Sequence, residues 1–228
     1  LANMGDAVFT FAGNGNGTFG PTPIEALQYA PIGAAGVGDF NGDGKLDLGI
    51  GRVDTSEVSV VLGHGDGTFS PETKIPGGVG PMAVRVADFD ADGNMDIAEA
   101  VLNWPYASPS PVPPGTLLLS KGNGDGTFAV PVPYTLGPYP LRMSMADFNG
   151  DGVQDLAVVG MGSFGTVLPD LRIFLGNAGG SLTAFFPVTI SRYPSDLDVG
   201  DFNLDGHPDL VLTTRGDSTL SSAQILLG

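Results

Sequence analysis

The chain contains no cysteine, which removes disulfide staples, thiolate nucleophiles and cysteine metal cages from the outset. Absence of cysteine does not exclude secretion. Cationic residues are scarce, with 9 Lys and Arg against 25 Asp and Glu in 228 residues, a net charge of −16. That balance argues against nucleic acid or an anionic membrane surface as a partner. No run of about 18 apolar residues occurs, so no membrane insertion is expected. No signal peptide is visible, and the first residues read as though already trimmed or excised. Enzyme signatures are missing too: there is no Gly-x-Ser-x-Gly, His-Glu-x-x-His or Walker loop. The four glutamates, Glu25, Glu57, Glu72 and Glu99, form no carboxylate pair of glycosidase character. The expectation is a protein that is not an enzyme and has no catalytic residues.

What is abundant is glycine and proline, 36 and 19 residues. Long helix formers are few, so many short strands joined by tight turns, an all-β chain, fit better than helices. One acidic loop recurs four times, at Asp39–Leu48, Asp88–Ile97, Asp147–Leu156 and Asp201–Leu210. Oxygen side chains stand at its first, third, fifth and ninth positions, and glycine always at the sixth. Alternate oxygens can converge on one cation if the chain turns tightly, and Gly44, Gly93, Gly152 and Gly206 permit that turn.

This is the spacing of a calcium cage. The expected side-chain ligands are Asp39, Asn41, Asp43 and Asp47 in the first loop and Asp88, Asp90, Asp92 and Asp96 in the second. The third supplies Asp147, Asn149, Asp151 and Asp155, and the fourth Asp201, Asn203, Asp205 and Asp209. The seventh position should offer only its backbone carbonyl, and it varies freely as Lys45, Asn94, Val153 and His207. An EF-hand would end in a glutamate between two helices, whereas here the ninth residue is aspartate and strand-forming residues follow. The alternative is an Asp/Asn-rich turn that needs no metal. About half of the acidic residues lie in these loops, and four divalent cations, expected to be structural, would halve the net charge.

The loops begin at residues 39, 88, 147 and 201, a period that points to propeller blades with several strands each. Strand A precedes the loop (Ala35–Phe40, Met82–Phe89, Leu141–Phe148, Asp196–Phe202) and strand B follows it (Leu46–Ile50, Asp96–Leu102, Asp155–Gly160, Asp209–Thr213). Strand C is Val58–Leu62, Thr116–Ser120, Leu171–Leu175 and Ala223–Leu227; strand D is Glu72–Ile75, Val130–Thr135 and Thr183–Ile190. A glycine-rich hairpin joins C to D, as Gly63–Phe69, Gly122–Phe128 and, more loosely, Gly176–Leu182, and it stands near the start as Gly13–Phe19. Its Asp-Gly and Asn-Gly pairs supply positive φ, and its phenylalanine reads as a core anchor. The whole chain then divides into a C–D half blade (1–34), blades at 35–80, 81–140 (with an insertion at 103–115) and 141–194, and an A–B–C portion at 195–228.

The Asp-Phe-Asn-Gly-Asp-Gly-x-x-Asp-Leu loops and Leu-Gly-x-Gly-Asp-Gly-Thr-Phe hairpins resemble FG-GAP/VCBS repeats. Such repeats are the blades of the integrin α-subunit N-terminal propeller and of many secreted bacterial proteins. The resemblance covers nearly the whole chain and implies a β-propeller of four-stranded antiparallel blades with one calcium in each A–B loop. Family members usually have more blades than this chain supplies. A larger parent chain, a homo-oligomer or an unusual closure would complete the ring.

Antiparallel order places the A–B loops and C–D hairpins on one face and the B–C and D–A loops on the other. Variable loops on a repeat scaffold usually carry recognition. The insertion Asn103–Gly115 holds Trp104, the only tryptophan, with Tyr106 nearby and prolines that stiffen it. It reads either as an aromatic platform for a sugar or peptide or as a loop pinned on its own blade. Arg215-Gly216-Asp217 in the last B–C loop reads either as an adhesion tripeptide or as chance. Asp196 and Asp198 are candidate central-channel carboxylates or solvated strand residues, and His64 and His207 lie in turns. The resulting expectation is an extracellular or cell-surface binding or adhesion module, recognising a carbohydrate or protein partner. The alternatives are a structural assembly repeat and a carbohydrate-active enzyme or its accessory domain.

Overall fold

A computed structural model describes residues 8–21, 24–27, 32–53, 55–103, 112–163, 167–185, 187–190, 193–215 and 222–228. Among these residues there are strands and turns but no helix, and hence no helix long and apolar enough to cross a membrane. A two-stranded sheet of β1 (Val8–Thr10) and β2 (Ile24–Leu27) comes first. The first complete sheet is β3 (Ile32–Gly38), β4 (Asp47–Arg52), β5 (Glu57–Val61) and β6 (Thr73–Pro76). The second is β7 (Pro81–Ala87), β8 (Asp96–Val101), β9 (Thr116–Ser120) and β10 (Val132–Thr135). In the third, β11 (Pro140–Ala146), β12 (Asp155–Gly160) and β13 (Asp170–Leu175) are followed by two short segments, β14 (Thr183–Ala184) and β15 (Val188–Thr189), both paired with β13. A three-stranded sheet, β16 (Tyr193–Gly200), β17 (Asp209–Arg215) and β18 (Ser222–Leu226), ends the described chain.

Every pairing is antiparallel and, apart from β15 on β13, joins strands adjacent in sequence, as short hairpin connections dictate. The first strands of successive sheets lie side by side, β3 on β7, β7 on β11 and β11 on β16. The arrangement is β-propeller-like, with each four-stranded sheet forming a blade. Strands A begin slightly earlier than the sequence implies and stop before the loop aspartate, because the first loop residue already turns away. The expected continuous strand D at Thr183–Ile190 is interrupted between β14 and β15.

A size rule on strand B explains how blades stack. Gly49 and Gly51 of β4 face the next blade, where an added β-carbon would lie 2.9 Å from Ile97 Cδ1 and 2.9 Å from Glu99 Oε1 respectively. The same two places hold Ala98 and Ala100 in β8, packed in one cluster with Met143, Leu156 and Val158 of the third blade. They hold Ala157 and Val159 in β12, packed with Leu197, Leu210 and Leu212 of the last sheet. The intervening positions carry the bulk: Leu48 and Ile50, Ile97 and Glu99, Leu156 and Val158, Leu210 and Leu212. The second blade, the third blade and the last sheet thus each lay large side chains onto the smaller residues of the blade before them, the complementarity that close packing requires. At the start, Val8 and Phe69 pack against Leu48, Ile50 and Val61.

The deepest aromatic anchors differ from the expected ones. Phe40 and Phe89, the second residues of their loops, are fully buried, whereas the hairpin residues Phe69 and Phe128 are half-buried and Phe19 is exposed. Phe128 nevertheless meets Phe40 edge-on across the blade boundary, ring centroids 5.1 Å apart. Gly126 N–H donates to the Phe40 carbonyl at 2.9 Å beside that contact.

Candidate functional site

The four acidic loops adopt one hydrogen-bonded shape. The first aspartate accepts backbone N–H groups on both oxygens. Asp39 takes those of Asp43 and Gly44 at 3.2 and 2.8 Å, and Asp201 takes those of Asp205 and Gly206 at 3.1 and 3.0 Å. The third residue accepts from the fifth N–H in every loop, as with Asn149 from Asp151 at 2.9 Å. The fifth aspartate accepts from the seventh N–H, at 2.8 Å for both Asn94→Asp92 and Val153→Asp151. These bonds hold the carboxylates facing inward. The N–H groups of Gly152 and His207 keep Asp147 and Asp205, respectively, below the usual carboxylate range. Asp43 is held low chiefly by the Lys45 ammonium, 3.0 Å from its Oδ2, so the seventh side chain of the first loop is not idle.

Two places in each loop require a left-handed backbone, where the sequence signalled one. The sixth position has φ from 80 to 91° at Gly44, Gly93, Gly152 and Gly206. The fourth is also positive: 69° at Gly42, 58° at Ala91, 74° at Gly150 and 62° at Leu204. Ala91 and Leu204 hide that demand from the sequence, because neither residue type marks it.

The ninth aspartate is fully buried in all four copies and accepts two backbone N–H groups. Asp47 takes those of Phe40 at 2.8 Å and Gly63 at 2.7 Å; Asp96, those of Phe89 and Gly122, both at 2.9 Å. Asp155 takes those of Phe148 and Gly176 at 2.8 and 2.9 Å, and Asp209 those of Phe202 and Gly228, both at 2.8 Å. Each therefore ties its loop to the glycine that opens the C–D hairpin, or, for Gly228, to the glycine in the equivalent place. Burial pushes the Asp96 carboxyl up to about 6, opposed by its two N–H donors, and pushes Asp155 up as well. A carboxylate has about four lone-pair sites, so these residues keep capacity for a cation. One oxygen from each of Asp88, Asp90 and Asp96 lies within 4.8 Å of the others, a span that a single ion about 2.4 Å from each oxygen would fill.

Among the described residues, the opposite end of the blades carries no repeated chemistry. Of the ligand candidates there, Trp104, Tyr106 and Asp217 lie outside the described residues. Arg215 ends β17, exposed, and helps line an open groove of about 430 Å³ with Ser195, Thr213, Thr214, Ser222 and Ala223. The Ser195 and Thr213 hydroxyls are 2.9 Å apart, as are those of Thr214 and Ser222. Asp196, a candidate channel carboxylate, pairs with Arg142 at 3.4 Å, both exposed. Arg85 of β7 is drawn below its ordinary value by burial, with Asp198 and Asp196 opposing the shift. The inner strands thus bring two cations and two carboxylates together.

Comparison with known proteins places this geometry. The sequence matches FG-GAP-like repeats over residues 39–98 and 107–158. No curated protein sequence matches. Among solved structures, one describing specific recognition of non-reducing terminal N-acetylglucosamine by an Agrocybe aegerita lectin superposes with a TM-score of 0.59 at 20% identity. The alignment covers 97% of this chain and 60% of the lectin chain, so this chain spans less than two thirds of that structure.

Proposed function

This chain is an FG-GAP-like repeat protein, and we propose that it is an extracellular, calcium-clasped module that binds carbohydrate on the face opposite its acidic loops. The groove at Arg215 carries the reading. Paired hydroxyls beside a guanidinium, open to solvent and lying at the B–C end, suit a polyhydroxylated ligand better than an apolar one. The structural neighbour is a lectin, which makes N-acetylglucosamine the first sugar to try. Titration of the full chain with N-acetylglucosamine and a glycan panel, followed by NMR, should show saturable binding that Arg215→Ala and Thr213→Val weaken severalfold. Absence of binding across the panel, or binding indifferent to both substitutions, overturns the proposal.

The acidic loops fit calcium by donor chemistry: all side-chain donors are hard oxygens, and in the second loop three of them already converge. Asp39, Asn41, Asp43 and Asp47 with the Lys45 carbonyl would hold one ion. Asp88, Asp90, Asp92 and Asp96 with the Asn94 carbonyl would hold the second. Asp147, Asn149, Asp151 and Asp155 with the Val153 carbonyl, and Asp201, Asn203, Asp205 and Asp209 with the His207 carbonyl, complete the set. Bound calcium would supply positive charge among crowded carboxylates and take no part in chemistry. Native mass spectrometry with and without a chelator counts both ions and subunits. Four calcium ions per chain are expected, and none bound at millimolar calcium would reject the assignment.

A further inference from the structure

The internal copies of the repeat differ at two places that matter together. The third loop residue is Asn41, Asn149 or Asn203 in three copies and Asp90 in the second. Among the four units that carry an acidic loop, the residue before the glycine tied to the ninth aspartate is Leu62, Leu175 or Leu227 in three and Lys121 in that same second blade. The two odd residues touch: Lys121 Nζ lies 3.3 Å from Asp90 Oδ2, with Asp90 buried and the lysine half-buried.

Their position is a joint between blades. Leu62 reaches Gly126 in the next blade's hairpin, where an added β-carbon would come within 3.2 Å of Leu62 Cδ1. Lys121 makes the same reach one blade on: a β-carbon added at Gly180 would land on Lys121 Nζ. Its ammonium therefore sits between the second acidic loop and the hairpin of the third blade. In the third and fourth loops the asparagine amide donates to the fifth carboxylate, Asn149 to Asp151 and Asn203 to Asp205, both at 2.8 Å. Asp90 has no such donor to offer and adds a fourth carboxylate to its loop. Lys121 restores the net charge to that of three carboxylates.

We propose that Lys121 is the resident counter-ion of the second loop, steadying the joint between the second and third blades when divalent cation is scarce and lowering that loop's avidity for it. The inference rests on the cation reading of the loops given above. A fixed positive charge beside a buried carboxylate stabilises the cation-free loop and repels an incoming ion by Coulomb's law.

The test uses the full chain with Lys121→Met, Asp90→Asn and the double change Asp90→Asn with Lys121→Leu, which recreates the pattern of the other blades. Melting is followed in excess chelator, and calcium binding by calorimetric titration. Lys121→Met should melt several degrees lower than the parent in chelator, recover in calcium, and bind one calcium roughly tenfold more tightly. Asp90→Asn alone should bind that calcium more weakly. The double change should return close to the parent in chelator, which also shows that the site tolerates replacement. Calcium binding by the parent with Lys121→Met unchanged in both readouts sinks this inference and leaves the cation reading intact. No calcium binding by the parent sinks both.

Discussion

The carboxyl of Glu99 lies against Gly51 of the preceding blade, so close that a β-carbon on Gly51 would sit 2.9 Å from Glu99 Oε1. Glu99 is 2% exposed, at a place where the other blades put Ile50, Val158 and Leu212. Its Oε2 accepts the Gly78 N–H at 2.8 Å, while Oε1 has no hydrogen-bond partner among the described residues.

Gly51→Ala should therefore destabilise the protein by roughly 1–3 kcal/mol, the usual cost of overpacking. The added methyl group would also press on Pro81 Cβ at 2.8 Å, so neither side has room to yield. Urea denaturation checks this. An unchanged midpoint would mean that the joint is looser than described.

Burial raises the Glu99 carboxyl from 4.5 to about 7. Between those values the folded chain holds a proton that the unfolded chain has released, so stability from this group falls as pH rises from about 4.5 to about 7 and levels off above. Glu99→Gln, which keeps the acceptor for Gly78, should melt higher than the parent at pH 8, by the equivalent of roughly 2–3 kcal/mol, and match it near pH 4.5. Melting curves in chelator across that range decide it. A constant difference at all pH values would assign the effect to packing.

Two aspartates of one loop should behave differently. Asp155→Ala orphans the buried N–H groups of Phe148 and Gly176 and should cost roughly 3–5 kcal/mol even in chelator. Asp151→Ala, at an exposed position, should change little in chelator and show its loss only in calcium. Paired urea titrations in chelator and calcium separate the two. If the two substitutions cost the same in chelator, the division between a hydrogen-bonding role and a cation-binding role is contradicted.

Leu204→Gly should stabilise the protein by roughly 0.5–1 kcal/mol. Leu204 holds φ at 62° and is 86% exposed, so glycine relieves left-handed strain without losing packing. Thermal unfolding measures the gain, and a lower melting temperature would show that the leucine makes a contact worth more than the strain.

The repeat made much of this fold legible. Loop spacing located β4, β8, β12 and β17, and the hairpins located β5, β9 and β13, because both motifs encode local geometry through glycine and aspartate. Joints between blades were not legible in the same way. The pairing of Gly51 with Glu99, or of Lys121 with Asp90, depends on which sheet face meets which, and no local pattern states that. Phe40 and Phe89 prove deeper than the hairpin phenylalanines because the second loop residue turns under its loop into the boundary. The left-handed fourth position was masked by Ala91 and Leu204. The internal comparison that isolates Lys121 was nonetheless present in the sequence, visible once the four units that carry an acidic loop are aligned.

The rule of large side chains on small ones gives the array a polarity. The second and third blades each carry a socket side and a plug side. A unit duplicated in tandem would arrive with its own matching seam, so the array can lengthen or shorten by whole units while each surviving junction keeps its fit. Inverting a unit would set bulk against bulk, which leaves repetition in one sense as the route open to such a chain.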